Sequence, residues 1–542
     1  MKNTDIFNDL DDGFLFSMND NDISVLLLEH LAKKERDFVI SSLAKLFIHK
    51  YNVKTLRDEK TELWVYKDGV YVPYGETYVN EFCSQYLGIA KTPQLANLVI
   101  DSIRDKTFVD FQDFFKYDAT HEYIALQNGL FNLKTSKLEQ YNTDIILFNK
   151  FNVCYDENAD CPAIKKFIND ILMNKNDVDT IQEMFGWLFY KIYKFEKIFM
   201  FLGDGRNGKS KLVELIKNFV GANNTSEIEP HSFEDPDGFM VANLFGKLAN
   251  LVPDIEKSAL KRTSKLKQAS GNDVLTANRK FKNPISFRNC AKLIFGANSL
   301  PFTYDTKDSF WERFVLIEFP YKFTHLNDLD EEERQNDRFL KQRDDNIIDK
   351  LITREELNGL FNWAYQGYKR LEKNKRFSYR YTPQEVKNIW ISKTNSFVSF
   401  AEMCLDFENT DAMVSKKDMR SAYKDFCNVR GLKMISDKQI GYFMESEGID
   451  IIQKLKKTES ESYNERYWVG VAFKKEFGFN FDENEYRYTK ISLKDQVKTF
   501  LKKHKKDNYL DFIKMFGKKN TEELLKKGFI YEPIKNTFEV VR

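Results

Sequence analysis

The stretch with the clearest chemistry is Lys197–Val220, KIFMFLGDGRNGKSKLVELIKNFV. Within it, Gly203-Asp-Gly205-Arg-Asn207-Gly208-Lys209-Ser210 fits G-x-x-x-x-G-K-[ST], a pattern that cradles phosphate when a strand precedes it and a helix follows. Both flanks are there. Ile198–Leu202 is an apolar run of buried-strand length, and Leu212, Val213, Leu215, Ile216, Phe219 and Val220 recur at helical spacing. Glycines let the backbone close around phosphates, and the helix N-terminus points free N–H groups at them. Lys209, on a loop expected to face solvent, supplies charge to the β- and γ-phosphates of a nucleotide, and the Ser210 hydroxyl completes a Mg²⁺ shell. The same letters on a chance loop would not need these flanks.

Other elements must position this loop, and the bulk properties bound them. At 542 residues the chain is too long for one core. It is 42% hydrophobic and 30% charged, the balance of a globular protein, and its net charge of +1 argues neither for nor against nucleic acid. No run of 18 apolar residues exists, so no membrane partner is expected. The start, MKNTDIFNDLDDG, is acidic and lacks a signal h-region. Six scattered cysteines without a C-x-x-C pair argue against zinc and disulfides and suit a cytoplasmic location.

In chain order, Ser24–His49 reads as one helix, and residues 62–160 read as β-rich, with turns at Asp68-Gly69 and Asn128-Gly129. The many Tyr and Phe there either stack on bases or fill a sheet core, and the core reading is the commoner. Pro162–Met173 and Val178–Tyr193 read as two amphipathic helices. Beyond the loop, Gly246–Glu256 is a hydrophobic strand ending in Asp254-Ile-Glu256. A carboxylate there would hold Mg²⁺ and orient an attacking water. Arg279-Lys280-Phe281-Lys282 forms the basic-aromatic tip of a hairpin, and Ala291–Asn298 is another buried strand, followed by Leu300-Pro301 and Asp308-Ser-Phe-Trp-Glu-Arg313-Phe-Val-Leu-Ile-Glu-Phe-Pro320. Thr353-Arg-Glu-Glu356 is a capping box opening the helix Arg354–Leu371.

The ordered set GDGRNGKS, PDIE, KQASGND with its basic hairpin, LIFGANSLP and DSFWERF resembles the superfamily 3 helicases. More narrowly, it is similar to the phage and plasmid primase-type helicases related to poxvirus and satellite-phage replication proteins. LWVYKDGVY, ALQNGLFNL and FNVCYDENADCP extend the resemblance towards the N-terminus. It implies ATP and Mg²⁺ at Gly203, Gly205, Asn207, Gly208, Lys209 and Ser210, with Asp254 as the metal acid. It implies Asn298 as the residue that senses the γ-phosphate, and Arg313 as an arginine finger given to the neighbouring subunit. Lys280 and Lys282 would grip DNA in a ring's channel. The family usually carries adjacent acids where this chain has Asp254-Ile-Glu256. Strand alternation would put both on one face, which leaves the catalytic role of Glu256 open. Glu312 also departs, where an arginine pair is common. Residues 1–160 show no paired metal acids of a primase.

The C-terminal region reads as helix Lys416–Val429, helix Asp437–Ser446 and a charged hairpin over Ile451–Phe473, a winged-helix pattern. Three short helices and a second wing follow. Residues 497–527 hold ten lysines and four acids, a local +6 that includes Lys518 and Lys519, so a DNA face is expected there.

The expected architecture is multidomain. An α+β, β-rich N-terminal domain (1–160) precedes a helical collar (161–194) and an α/β AAA+ P-loop core (195–378). Two winged-helix modules follow (379–476 and 477–542). The expected function is that of an ATP-dependent hexameric DNA helicase, a self-loading replication initiator of a phage, plasmid or genomic island, similar to the Rep initiators of phage-inducible islands. Single-stranded DNA would occupy the channel and duplex origin DNA the C-terminal modules. The alternative is a non-translocating DNA-binding ATPase switch that assembles on an origin. A small-molecule P-loop kinase leaves Arg313, the hairpin and the C-terminal modules without a use.

Overall fold

The computed structural model describes residues 12–474 except 58–60, 116–121, 257–259, 281, 302, 304, 306, 326, 328–338, 395, 409–410, 431–433 and 458–461, together with 530–531 and 539–540. The chain forms two compact units that divide between Lys387 and Asn388. It is a multidomain α/β protein, and no described helix is long and apolar enough to cross a membrane.

The N-terminal region holds more helix than expected. Helices α1 (Asp20–Ala32) and α2 (Arg36–Tyr51) replace a single one, because Lys34 adopts a left-handed backbone with φ +66°. The break folds the two together, so Ile23 and Leu27 join Val39, Leu43 and Phe47 in one apolar cluster. Strands β1 (Lys54–Leu56), β2 (Leu63–Lys67) and β3 (Val70–Val72) include the expected hairpin. Two helices follow inside the stretch read as β-rich: α3 (Gly75–Leu87) and α4 (Pro93–Thr107). Their buried residues Val79, Phe82, Cys83, Tyr86 and Leu95, Val99, Ile103 have helical spacing, and Thr92 caps α4. Strands β4 (Phe108–Val109), β5 (Tyr123–Leu126), β6 (Gly129–Asn132) and β7 (Lys137–Glu139) complete the region. Its aromatic residues pack on one another. Trp64 meets Phe114, Phe115 and Phe148 edge to face with ring centroids 5.5–5.7 Å apart.

The centre is one five-stranded parallel sheet. It comprises β8 (Ile198–Leu202), β9 (Thr225–Ser226), β10 (Ala249–Val252), β13 (Lys292–Ala297) and β14 (Phe314–Glu318), with β11 (Val274–Arg279) and β12 (Lys282–Arg288) as an antiparallel hairpin inserted before β13. The order is β14-β8-β13-β10-β9. The first strand therefore lies between the two last ones, so the strand order reverses beside β8. Every residue of β8 and β13 is buried, which explains their unbroken apolar runs.

Helices α5 (Pro162–Ile171), α6 (Lys175–Trp187) and α7 (Lys209–Val220) surround the sheet, together with α8 (Arg354–Asn374) beyond the short strands β15 (Lys322–Thr324) and β16 (Leu340–Gln342). Thr353 caps α8 as expected, but Glu356 does not fold back to complete a box. Its carboxylate accepts from Ala163 N–H (3.1 Å) and Ile164 N–H (3.0 Å), so it caps α5 instead. Helices α6 and α8 touch backbone to backbone. A Cβ on Gly186 would lie 2.3 Å from Tyr368 N, and one on Gly367 would lie 2.3 Å from Gln182 O. Buried Glu183 accepts from Arg370 Nε (2.5 Å) and Ser378 N–H (2.6 Å), which fixes the chain after α8 to α6.

In the second unit, α9 (Ser396–Cys404), α10 (Lys416–Arg430) and α11 (Asp437–Ser446) pack Phe397, Tyr423 and Met444 against Trp468. Trp468 lies in a three-stranded antiparallel sheet of order β18-β20-β19, formed by β18 (Met413–Ser415), β19 (Asp450–Lys457) and β20 (Ser462–Val469); β17 (Leu405–Asp406) precedes it in the chain. Ser436 and Gln439 form a reciprocal capping box at α11. The helices expected between residues 493 and 527 lie outside the described residues. Near the C-terminus, Ile530 pairs with Val540 and Tyr531 with Glu539.

Two lysines are buried in the first unit. Lys292 Nζ donates to Tyr190 O, Ile192 O and Cys290 O, whereas Lys191, 5% exposed, has no hydrogen-bond partner for Nζ among the described residues. Burial pushes the Lys191 ammonium down to about 8 from 10.5. Below pH 8 its charge is held at full cost in the folded protein. Between about pH 8 and 10.5 the unfolded chain binds more protons, so stability rises with pH. Lys191→Met is expected to stabilise the protein by about 1–3 kcal/mol at pH 7, with the gain shrinking towards pH 10. Denaturant unfolding at both pH values checks this.

Candidate active site

From Leu202 the chain passes through Gly203–Gly208 into α7, whose first residue is Lys209. Backbone bonds fix this loop. Gly203 N–H donates to Ala297 O (3.2 Å), Phe319 N–H to Leu202 O (2.8 Å) and Phe323 N–H to Arg206 O (2.7 Å). The segment after β14 therefore laces the loop's outer side. A Cβ on Gly203 would lie 2.5 Å from Phe319 O, whereas Gly205 has open space around it. Gly208 has φ +93°, and a Cβ there would meet Ile171 at the end of α5. Buried Asn207 accepts from Lys209 N–H (3.3 Å) and its Nδ2 reaches Phe319 O at 3.5 Å.

Lys209 does not face solvent, contrary to expectation: it is 3% exposed. Its Nζ donates to Gly203 O and to Asn298 Oδ1, the latter at 3.1 Å. Asn298 Nδ2 in turn donates to Asp254 Oδ2 at 3.0 Å. A single line of polar contacts thus joins the ends of β8, β13 and β10. Burial pulls the Lys209 ammonium below the ordinary lysine value, and the Asp254 and Asp204 carboxylates pull it partly back. Ser210 is exposed in the first turn of α7, beside a cleft of about 930 Å³ lined also by Val72, Lys150, Glu214 and Pro253.

Glu256 does not share a strand face with Asp254. β10 ends at Val252, the chain bends at Pro253–Asp254, and Ile255 N–H donates to Gly296 O (2.8 Å). Alternation stops where the strand stops. The Glu256 carboxylate gathers with Glu229 and His231 instead.

Arg313 lies at the opposite, amino end of the strands. Its carbonyl accepts from Ile198 N–H, and Phe314 pairs with Ile198 at the start of β8. The five residues of β8 put about 16 Å between this end and the loop. Arg313 Nη2 donates to Glu196 Oε2 (2.7 Å) and Nη1 to Ser309 O, so its partner is Glu196 rather than Glu312 or Asp308. At the hairpin tip, Arg279 pairs with Lys282, and Arg279 Nε donates to Asn283 O (3.1 Å). Lys280 is exposed. Phe281, Lys518 and Lys519 lie outside the described residues, and for Lys282 only the backbone is described. Sequence reasoning missed Glu196, Glu229 and His231. Glu229-Pro-His231 is a ligand-like spacing that a search for mixed oxygen and nitrogen donors would have found.

A family described as D5 N terminal like matches residues 44–173, and a family of unknown function, DUF5906, matches residues 201–313. Among curated proteins the chain is 23% identical over 382 residues to the putative helicase V13 of Sputnik virophage, which covers 66% of this chain and 46% of that protein. The chain is thus similar to D5-like proteins and to putative viral helicases. A second relative, the putative helicase L207/L206 of Acanthamoeba polyphaga mimivirus, is 25% identical over 218 residues, covering 38% of this chain and 22% of that protein. The chain thus spans about half the length of the first relative and less than a quarter of the second. The apo structure of the NrS-1 C-terminal region covers 79% of this chain and 98% of its own, at 13% identity and a TM-score of 0.41.

The loop's packing separates two of its glycines. Gly203→Ala is expected to cost about 1–3 kcal/mol, because backbone must move, and to weaken nucleotide binding at least tenfold. Gly205→Ala is expected to stay within about 0.5 kcal/mol of the parent. Denaturant unfolding and titration with a fluorescent ATP analogue check both.

Proposed function

We propose that the chain is the ATP-hydrolysing motor of a ring-shaped, hexameric DNA helicase of AAA+ type that initiates replication of a phage, plasmid or genomic island. The observation that carries this reading is the placement of the Lys209–Asn298–Asp254 line at the carboxyl ends of the strands and of Arg313 at their amino ends. Arg313 is too far from its own loop to reach a phosphate there. A neighbouring subunit stacked edge to edge brings it to the next loop.

Gly203, Gly205, Asn207 and Gly208 shape the phosphate cradle, and Lys209 compensates the β- and γ-phosphates. The Ser210 hydroxyl and the Asp254 carboxylate are hard oxygen donors suited to Mg²⁺, which would neutralise phosphate charge between them. Asn298 touches both Lys209 and Asp254, so it would report the γ-phosphate to the β13 end. Asp254 is the acid of the site in this reading, and Glu256 takes no step. Arg279, Lys280, Phe281 and Lys282 would form the channel contact, since their hairpin is inserted between the Asp254 and Asn298 strands. Helices α10 and α11 followed by the β19–β20 hairpin have the order of a winged helix, a module for duplex DNA. Lys518 and Lys519 belong to the second DNA-binding module of this proposal.

Mixing Arg313→Ala with Lys209→Ala subunits tests action between subunits. Each alone is expected to lose ATPase, by about 10³-fold or more for the finger. Mixed rings should recover part of it, because some interfaces pair an intact loop with an intact finger. Verified mixed rings without recovery would count against the reading. Lys280→Ala with Lys282→Ala is expected to keep DNA-free ATPase and to lose strand displacement, with a shallower salt dependence of single-strand binding. Strand displacement by the assembled parent protein separates a helicase from a switch that only assembles on DNA.

A further inference from the structure

We propose that Glu229, His231 and Glu256 form a binding site for a zinc-class divalent transition ion, separate from the phosphate loop. One ligand atom from each residue, two carboxylate oxygens and an imidazole nitrogen, lies within 4.8 Å of the others. This mixed set suits Zn²⁺, Co²⁺ or Mn²⁺, with water completing the shell, better than Mg²⁺, which prefers oxygen alone.

The two segments that carry the ligands are fixed from beneath. Asn250, fully buried in β10, holds Ile228 on both sides: its Oδ1 accepts from Ile228 N–H (2.8 Å) and its Nδ2 donates to Ile228 O (2.9 Å). Pro230, itself buried, opens the short 3₁₀ turn Pro230–Glu234, and buried Phe233 anchors that turn. On the other segment, Ile255 N–H is held by Gly296 O. Glu229 Oε2 then accepts from Glu256 N–H (3.3 Å) and faces His231 Nδ1 (3.1 Å), which sets all three donors around one point.

The charge of the group is the second argument. Two carboxylates converge here, and among the described residues no lysine or arginine forms an ion pair with either. A neutral imidazole leaves them uncompensated. A dication entering between His231 Nδ1 and Glu229 Oε2 would satisfy all three donors and offset the repulsion. It would also pin Glu256, two residues from Asp254, away from the nucleotide. The assignment of the ion site does not depend on the helicase reading.

The test is titration of the purified full chain with Co²⁺ alone, without nucleotide, in chelator-treated buffer, read by equilibrium dialysis and visible absorption. The expected result is one Co²⁺ per chain with a ligand-field band, displaced by Zn²⁺ and not by excess Mg²⁺. His231→Ala and the pair Glu229→Gln with Glu256→Gln should weaken binding at least about tenfold. Asp254→Asn should leave it unchanged. Matching thermal midpoints establish that the variants fold, and His231 is exposed enough for the substitution to be tolerated. No stoichiometric Co²⁺ binding by the parent overturns the proposal, as does binding that survives His231→Ala. Loss in Asp254→Asn overturns it as well, since the ion would then belong to the nucleotide site.

Discussion

A lysine cation held out of water sets the terms for the whole central domain. Lys209 opens a helix, yet its ammonium is buried and faces the Gly203 carbonyl and the Asn298 side chain. A buried charge needs partners, and here they come from three strand ends. Asn298 links the lysine to Asp254, so β8, β13 and β10 must end in register for the line to form. The parallel pairing Ala297↔Leu202 and Val252↔Phe295 supplies that register.

The rest of the first unit keeps this end rigid. Ile171 at the end of α5 closes against Gly208, and Phe319 and Phe323 lace the outer side of the loop. α5 is in turn capped by Glu356 from α8, and α8 lies against α6 with glycines at the contact. A carboxylate at a helix N-terminus satisfies orphan N–H groups, so this tie does more than a surface ion pair. Arg313 sits outside this framework, on a partly exposed contact with Glu196.

The aromatic wealth of the N-terminal region is used for packing. Trp64 meets Phe114, Phe115 and Phe148 edge to face, and buried Tyr71 meets Phe114 in the same way. Such pairs add to area burial and fix geometry in a region whose strands are only two to five residues long. Helices α3 and α4 cover what a larger sheet would otherwise leave open.

Much of the phosphate loop was legible in the sequence, because its chemistry is local. Glycines, a lysine and a serine at fixed spacing between an apolar run and an amphipathic helix require no distant partner to be recognised. The buried strands β8, β10 and β13 were legible for the same reason, as were α7 and α11. What the sequence could not decide were features made by residues far apart in the chain. Lys209 looked exposed because burial depends on Asn298 and Asp254, 89 and 45 residues away. Glu356 looked like a capping partner of Thr353, yet a helix N-terminus 193 residues earlier competes for its carboxylate. Asp254 and Glu256 share a face only while a strand lasts, and pairing with β13 ends β10 at Val252. The sequence alone determined the chemistry available at the loop. The tertiary structure decided which side chains face it, because burial and strand ends are set by neighbours that local spacing does not reveal.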